Sequence, residues 1–274
     1  MGLLKEAMQI AVIPAFMAAN ANADTINQSN PFQITPDTQT TEHEIRYVDR
    51  HLVFVIDVSG SVEPAERVAM QRGIAEALAS EENSGHFTGF SDYAMTVVFF
   101  ADSARSLQTV FVSSQEEAID SLSASLWDFE SSLPASNLTG VGSGTDMYDA
   151  LLLVDEIYDT EQSEGFSSIS KSVVVLGDAA PSPSDMIAVQ IGHLAQTHGA
   201  TVHALPVVLG QTDDSAPGHS TVQFFREAVA TPEGLLHVTE EGGIYRVQQG
   251  VTMPVLDATN VSFVVGQALD LNRF

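Results

Sequence analysis

No cysteine occurs in the 274 residues of this chain. Disulfides and thiolate zinc sites are thereby excluded. Basic residues are scarce too: 10 lysines and arginines stand against 36 acids, for a formal net charge of −26. With no basic stripe there is nothing to hold a phosphate backbone, so nucleic acid is not an expected partner. An anionic membrane surface is unfavourable on the same ground. The acids are scattered, which describes a solvated, self-repelling surface that also draws divalent cations. No apolar run is long enough for an ordinary membrane span. A Gly-x-Ser-x-Gly nucleophile elbow is missing. The glycine-rich residues 140–144 lack the Lys-Ser or Lys-Thr of a phosphate loop.

What is present suits one large α/β domain with extensions, since 44% of the residues are hydrophobic. Residues 8–19 are mostly apolar, broken by Pro14, and are followed by Ala21-Asn22-Ala23. This resembles the core and cleavage site of a secretory signal, although Glu6 cancels the charge of Lys5. Residues 1–23 are therefore expected to be a signal peptide and the protein to be exported, periplasmic or secreted. The alternative is an N-terminal arm. Residues 24–50 read as a polar linker, 51–251 as the domain and 252–274 as a C-terminal extension. Within that extension, residues 261–269 are apolar enough to pack on the domain or to bind elsewhere.

Strands and helices alternate through the domain. Residues 52–56 form a continuous apolar run, as expected of a strand buried on both faces. A helix opens near Glu63-Pro64, proline being suited to the first turn. Strands are expected at 93–100 and 107–112, and their short connection predicts an antiparallel hairpin. Ser113 and Ser114 each precede a Glu at the capping-box spacing, ahead of a helix carrying Ile119, Leu122 and Leu126. After a long loop, 127–144, the pattern gives a helix at 146–158, a strand at 172–176 and a helix at 184–198. Next come a strand at 201–208, a helix at 221–230, a short strand at 235–238 and a helix near 244–251. The predicted fold is a doubly wound α/β domain. Its sheet has six strands, mostly parallel, with one antiparallel edge strand and helices on both faces.

In such sheets ligands sit beyond the carboxyl ends of the strands. Three of those positions are rich in oxygen. They are Asp57-Val58-Ser59-Gly60-Ser61 after the first strand, Gly144-Thr145-Asp146 before a helix, and Gly177-Asp178 after the 172–176 strand. A strand running into a loop can turn alternate side chains toward one point, with Gly60 allowing the bend. Carboxylates and hydroxyls are hard ligands that suit Mg²⁺, Mn²⁺ or Ca²⁺. The simpler reading has Asp57 and the serines capping the next helix. Asp146 and Asp149 read as charges favourable to a helix N-terminus. His193, His198 and His203 are spaced by fives, which does not stack them on one helix face.

The set Asp57-x-Ser59-x-Ser61, Thr145 and Asp178, in this order and at these strand ends, resembles the metal-ion-dependent adhesion site of von Willebrand factor A domains. The resemblance covers residues 51–251. It is closest to a bacterial, functionally uncharacterised branch of such domains. It implies that Ser59, Ser61 and Thr145 contact one divalent cation, Mg²⁺ first and Mn²⁺ or Ca²⁺ as alternatives. Asp57 and Asp178 would contribute directly or through water. Two carboxylates and three hydroxyls only balance a divalent ion and leave it needing an outside ligand, so a protein partner offering Asp or Glu is expected, and the reading is of a non-enzymatic binding domain. Two other expectations stay open: a subunit docking into a larger assembly through the same site, and a metal-assisted hydrolase, for which no separate general base is evident.

Overall fold

A computed structural model describes residues 45–87, 92–123, 145–178, 184–208, 217–239, 241–255 and 258–270. All lie in the unit His43–Phe274. The signal at 1–23, most of the linker, Leu126 and the glycine-rich 140–144 fall outside the described residues.

β1 (Arg46–Asp57) is the axis of the fold. It pairs in parallel with β2 (Tyr93–Phe100) on one side and β5 (Phe166–Gly177) on the other. β6 (Thr201–Pro206) continues the sheet beside β5, again in parallel. At the other edge β3 (Ala104–Ser106) and β4 (Val110–Val112) run antiparallel to β2, completing a six-stranded sheet. The period-two alternation of β1 feeds two cores. Leu52, Phe54 and Ile56 enter a layer covered by α1 (Pro64–Ala79), and Val53 and Val55 enter the opposite layer. That second layer is closed by α4 (Met147–Thr160), α5 (Ser184–His198) and the turn Phe225–Val229 that continues α6 (Pro217–Phe224). Two smaller helices, α2 (Glu81–Ser84) and α3 (Gln115–Ala118), stand beside α1.

Four expectations need correction. The strand expected at 107–112 covers only Val110–Val112 as β4, and β3 lies before it at Ala104–Ser106; between them the Leu107 N–H still bonds the Val97 carbonyl at 2.8 Å. Thr109 bonds Thr96 through its hydroxyl at 2.8 Å. The helix after the hairpin departs from α geometry: Ser114 caps α3, and the chain then widens into a π turn over Ile119–Ser123, the last described residues of this segment. The helix near 244–251 does not form. Its start is β8 (Ile244–Arg246), paired with β7 (Leu236–Val238) in a separate two-stranded sheet. Gly242 takes φ of +83° in the connecting turn, closed by the Thr239 N–H on the Gly243 carbonyl at 2.9 Å, a geometry no helix contains. Finally, the folded body exceeds 51–251 at both ends. The strand starts at Arg46, and residues 251–255 bond along β6, with Val255 N–H on the Pro206 carbonyl at 2.8 Å.

The chain then closes with α7 (Ala258–Leu269), which packs on α1. Val261, Val264, Val265, Ala268 and Leu269 are all fully buried there. The approach is closest at Gly73, where a Cβ would stand 2.8 Å from Val261 Cγ2. Gly73→Ala should therefore destabilise the domain by about 1–3 kcal/mol despite alanine's better helix propensity. Adding Val261→Ala should recover part of that loss. Urea unfolding of the single and double variants measures the coupling.

Candidate metal-binding site

The parallel strands bring their carboxyl ends to one place. Asp57 is the last residue of β1 and pairs with Phe100, the last of β2; Ile56 pairs with Leu176, two residues before Asp178. The Val58 N–H makes a final bond to the Phe100 carbonyl at 2.9 Å, and the chain then turns. Asp57 Oδ1 accepts the Ser59 N–H at 2.8 Å, a local turn that fixes the carboxylate in place. The Ser59 and Ser61 hydroxyls lie 2.9 Å apart, and Ser61 Oγ donates to Asp178 Oδ1 at 3.1 Å. Asp57, Ser59, Ser61 and Asp178 are thus one connected group drawn from two strand ends. Burial grades across it: Asp57 and Ser59 are fully buried, Asp178 is partly buried and Ser61 is exposed.

Thr145 is half-buried and immediately precedes α4. Its neighbour Asp146 sends its N–H to the carbonyl of Ala101, which follows Phe100. The Thr145 backbone is therefore anchored at the same end of the sheet. Its hydroxyl makes no hydrogen bond to the other four side chains.

The helix-cap alternative does not describe this loop. The residue capping α1 is Glu63, with Pro64 in the first turn and the Glu66 carboxylate accepting the Glu63 N–H at 2.9 Å. Asp146 does cap its helix, accepting the Asp149 N–H at 3.1 Å, and Asp149 accepts the Ala104 N–H at 2.8 Å.

One atom stands out. Asp57 Oδ2 is buried and has no hydrogen-bond partner. Gly177 makes room for it: a Cβ there would lie 3.2 Å from Oδ2 and equally close to the Phe225 ring. Burial pushes the Asp57 carboxyl up to about 7, and the negative charge of Asp178 adds to this, against the opposing pull of the Ser59 hydrogen bonds and of Arg67. Asp178 is likewise raised, mainly by burial, with its Ser61 bond opposing. An orphaned carboxylate oxygen beside hydroxyls and a second carboxylate fits a hard divalent ion. Among the described residues no group of three or more His, Cys, Asp or Glu is gathered to hold a metal, so softer nitrogen and sulfur ligation has no comparable candidate.

The histidines behave differently from what their spacing implies. His193 and His198 meet at Asp155 Oδ1, at 3.2 and 2.7 Å, while His203 Nδ1 accepts the Val251 N–H. A larger buried polar group escaped the sequence reading. His51 is fully buried, with Nδ1 2.8 Å from Glu161 and Nε2 2.9 Å from Thr96, and Lys171 binds the same Glu161 at 3.0 Å. Its only sequence signal is a polar pair, Arg50-His51, at the head of an apolar run.

Residues 47–242 match a family model described as "protein of unknown function (DUF1194)". The chain belongs to that family. None of the curated proteins matches this DUF1194 chain in sequence. Among solved structures, the SpaC pilus adhesin of Lactobacillus rhamnosus GG superposes with a TM-score of 0.51 at 14% identity, over 82% of this chain and 30% of its own. The PilB minor pilin of Streptococcus sanguinis, in a D319A mutant, gives 0.50 at 12% identity over 82% and 62%. A von Willebrand factor type A protein from Catenulispora acidiphila gives 0.48 at 16% over 81% and 42%. The DUF1194 chain therefore spans under two thirds of each of these proteins, and it shares the fold of the SpaC adhesin and the PilB pilin, a von Willebrand factor A-like α/β sheet.

The raised Asp57 carboxyl has a consequence for stability. Below about 3.8 both folded and unfolded forms hold the proton, so nothing is lost. As pH rises toward 7 the unfolded chain releases it first and the folded state is progressively disfavoured. In EDTA, stability relative to Asp57→Asn should fall between pH 5 and pH 8 by several kcal/mol at most, at about 1.4 kcal/mol for each pH unit. Paired urea titrations at the two pH values check this.

Proposed function

We propose that this domain binds a protein partner through a divalent cation held by Asp57, Ser59, Ser61, Thr145 and Asp178. Mg²⁺ is the first choice, with Mn²⁺ and Ca²⁺ as alternatives. The observation carrying the reading is the buried Asp57 Oδ2 without a partner. An unpaired buried charge is costly unless something of opposite sign meets it. When bound, the cation would supply a positive centre able to accept a carboxylate from outside.

The chain's own residues set the rest. The Ser59 N–H fixes one oxygen of Asp57 and leaves the other uncommitted. Ser61 and Asp178 share a hydrogen bond at the exposed mouth, so a partner reaches them before it reaches Asp57. Two carboxylates only balance a divalent ion, which leaves a surface carboxylate from the partner favourable there. The net charge of −26 repels acidic surfaces as a whole. An Asp or Glu set in neutral or basic surroundings is the preferred ligand.

This is a binding role, not catalysis. Every carboxylate of the group is a proposed ligand, and Glu66, which feels Asp178, is engaged by the Glu63 N–H. The fold shared with an adhesin and a minor pilin, each longer than the matched span, is compatible with the same site docking this domain into an assembly.

The test is capture of a partner on the immobilised domain in Mg²⁺ and in EDTA, with Ser59→Ala/Ser61→Ala alongside. Binding should fall at least tenfold in EDTA and in the double variant, with circular dichroism unchanged. Equal binding in both buffers and both proteins would remove the metal bridge.

A further inference from the structure

At the opposite end of the sheet from Asp57, a cleft of about 920 Å³ opens beside the early residues of β5 and β6 and the β7–β8 hairpin. Arg50, Lys171 and Arg246 line it, three of the chain's 10 lysines and arginines, together with His198 and His237. Glu233 is the one carboxylate among the described lining residues. On a chain of charge −26 this is a local reversal of composition.

Two of these cations are held in place from behind. Arg50 donates to Ser170 at 2.9 Å, to Ser172 at 3.1 Å and to the Ala268 carbonyl. Lys171 is held by Glu161 at 3.0 Å and by Ser168 at 2.9 Å, and neither of those two lines the cleft. Such fixed donors lose little freedom when a ligand arrives. Those bonds give Arg50 and Lys171 a structural role of their own. Arg246 and Tyr245 of the hairpin have no such duty. Arg246 is exposed and makes no ion pair among the described residues, and Tyr245 is 61% exposed. Tyr245 pairs across the hairpin with His237, which puts both rings on one face. His237 is itself fixed, donating from Nδ1 to the Gln196 carbonyl at 2.8 Å, with its ring against Gly199.

We propose that this cleft binds a small organic anion, a phosphate or carboxylate group joined to a flat ring. The ring rests on Tyr245 and His237, the anionic group meets the donors at Arg50 and Lys171, and Arg246, paired with Leu236 on the other face of the hairpin, adds its positive charge at the edge of the cleft. Repulsion by the rest of the surface means that an anion gains here only through these local contacts. The site is independent of the metal-binding group.

The experiment is a calorimetric titration of the full chain in EDTA with AMP, 4-hydroxybenzoate and adenosine. At least one of the two anions should bind with Kd below about 1 mM. AMP as the stronger anion identifies a phosphate ligand, and 4-hydroxybenzoate a carboxylate. Adenosine should bind at least tenfold more weakly than the preferred anion. Arg246→Glu and Tyr245→Ser should each weaken that anion at least tenfold, with circular dichroism unchanged, and Asp57→Ala should leave it unaltered. Absence of binding by both anions at that level, adenosine binding as well as they do, or wild-type affinity in both hairpin variants would overturn the proposal.

Discussion

A carboxylate sits at the end of the central strand with only one of its oxygens hydrogen-bonded. Asp57 is enclosed because β1 lies between β2 and β5 and because Gly177 and Phe225 close over its side. The fold does nothing locally to neutralise it, since Arg67 opposes its raised titration only weakly against burial and Asp178. Most buried polar atoms are satisfied. A strand end that leaves this one unsatisfied, between two serine hydroxyls and a second carboxylate, is organised for an external positive charge. The parallel pairing of β1 with β5 is what delivers Asp57 and Asp178 to the same rim.

The two ends of the sheet handle polarity in different ways. At the carboxyl end, oxygen atoms gather with few donors. At the other end, polar groups are paired internally: burial pushes the His51 imidazole down, against its bond to Glu161. Burial pushes Glu161 up, but its bonds to His51 and Ser168 and the charge of Lys171 outweigh this and hold it below the usual carboxylate range. That network is closed, whereas the Asp57 group is open. Scarce cations are spent accordingly, with Lys171 and Arg50 at the closed end. The division lets the paired His51 network stiffen the sheet at one end while the other end leaves one carboxylate oxygen uncommitted.

Much of this architecture was readable from residue order. The apolar run at 52–56, the strand Tyr93–Phe100 and the helix Ser184–His198 stand where periodicity places them, because each is long and its burial one-sided or complete. Asp57, Ser59, Ser61 and Asp178 also converge, since strand ends in a parallel sheet leave little freedom. What failed were short elements decided by tertiary contacts. A helix is expected near 244–251, yet Gly242 at positive φ turns Ile244 and Tyr245, both good strand formers, back against Val238 and His237. The apolar residues 261–269 fit packing on the domain and binding elsewhere equally well in sequence, because nothing local says that Gly73 on α1 receives Val261. His51 could not be read as part of a network, since Glu161 and Lys171 are more than 100 positions away in the chain, as the separation of 110 for the His51–Glu161 bond shows.

The central claim concerns a single metal at the end of β1, and direct metal binding tests it. Mn²⁺ titrated into the chain at pH 7.5, with free ion followed by electron paramagnetic resonance, should show one saturable site per chain, displaced by Mg²⁺. Asp178→Ala and Asp57→Ala should each remove that site while the scattered weak binding of an acidic surface persists. Only weak, non-saturating uptake in the wild-type chain, or a saturable site that survives both substitutions, would contradict the account.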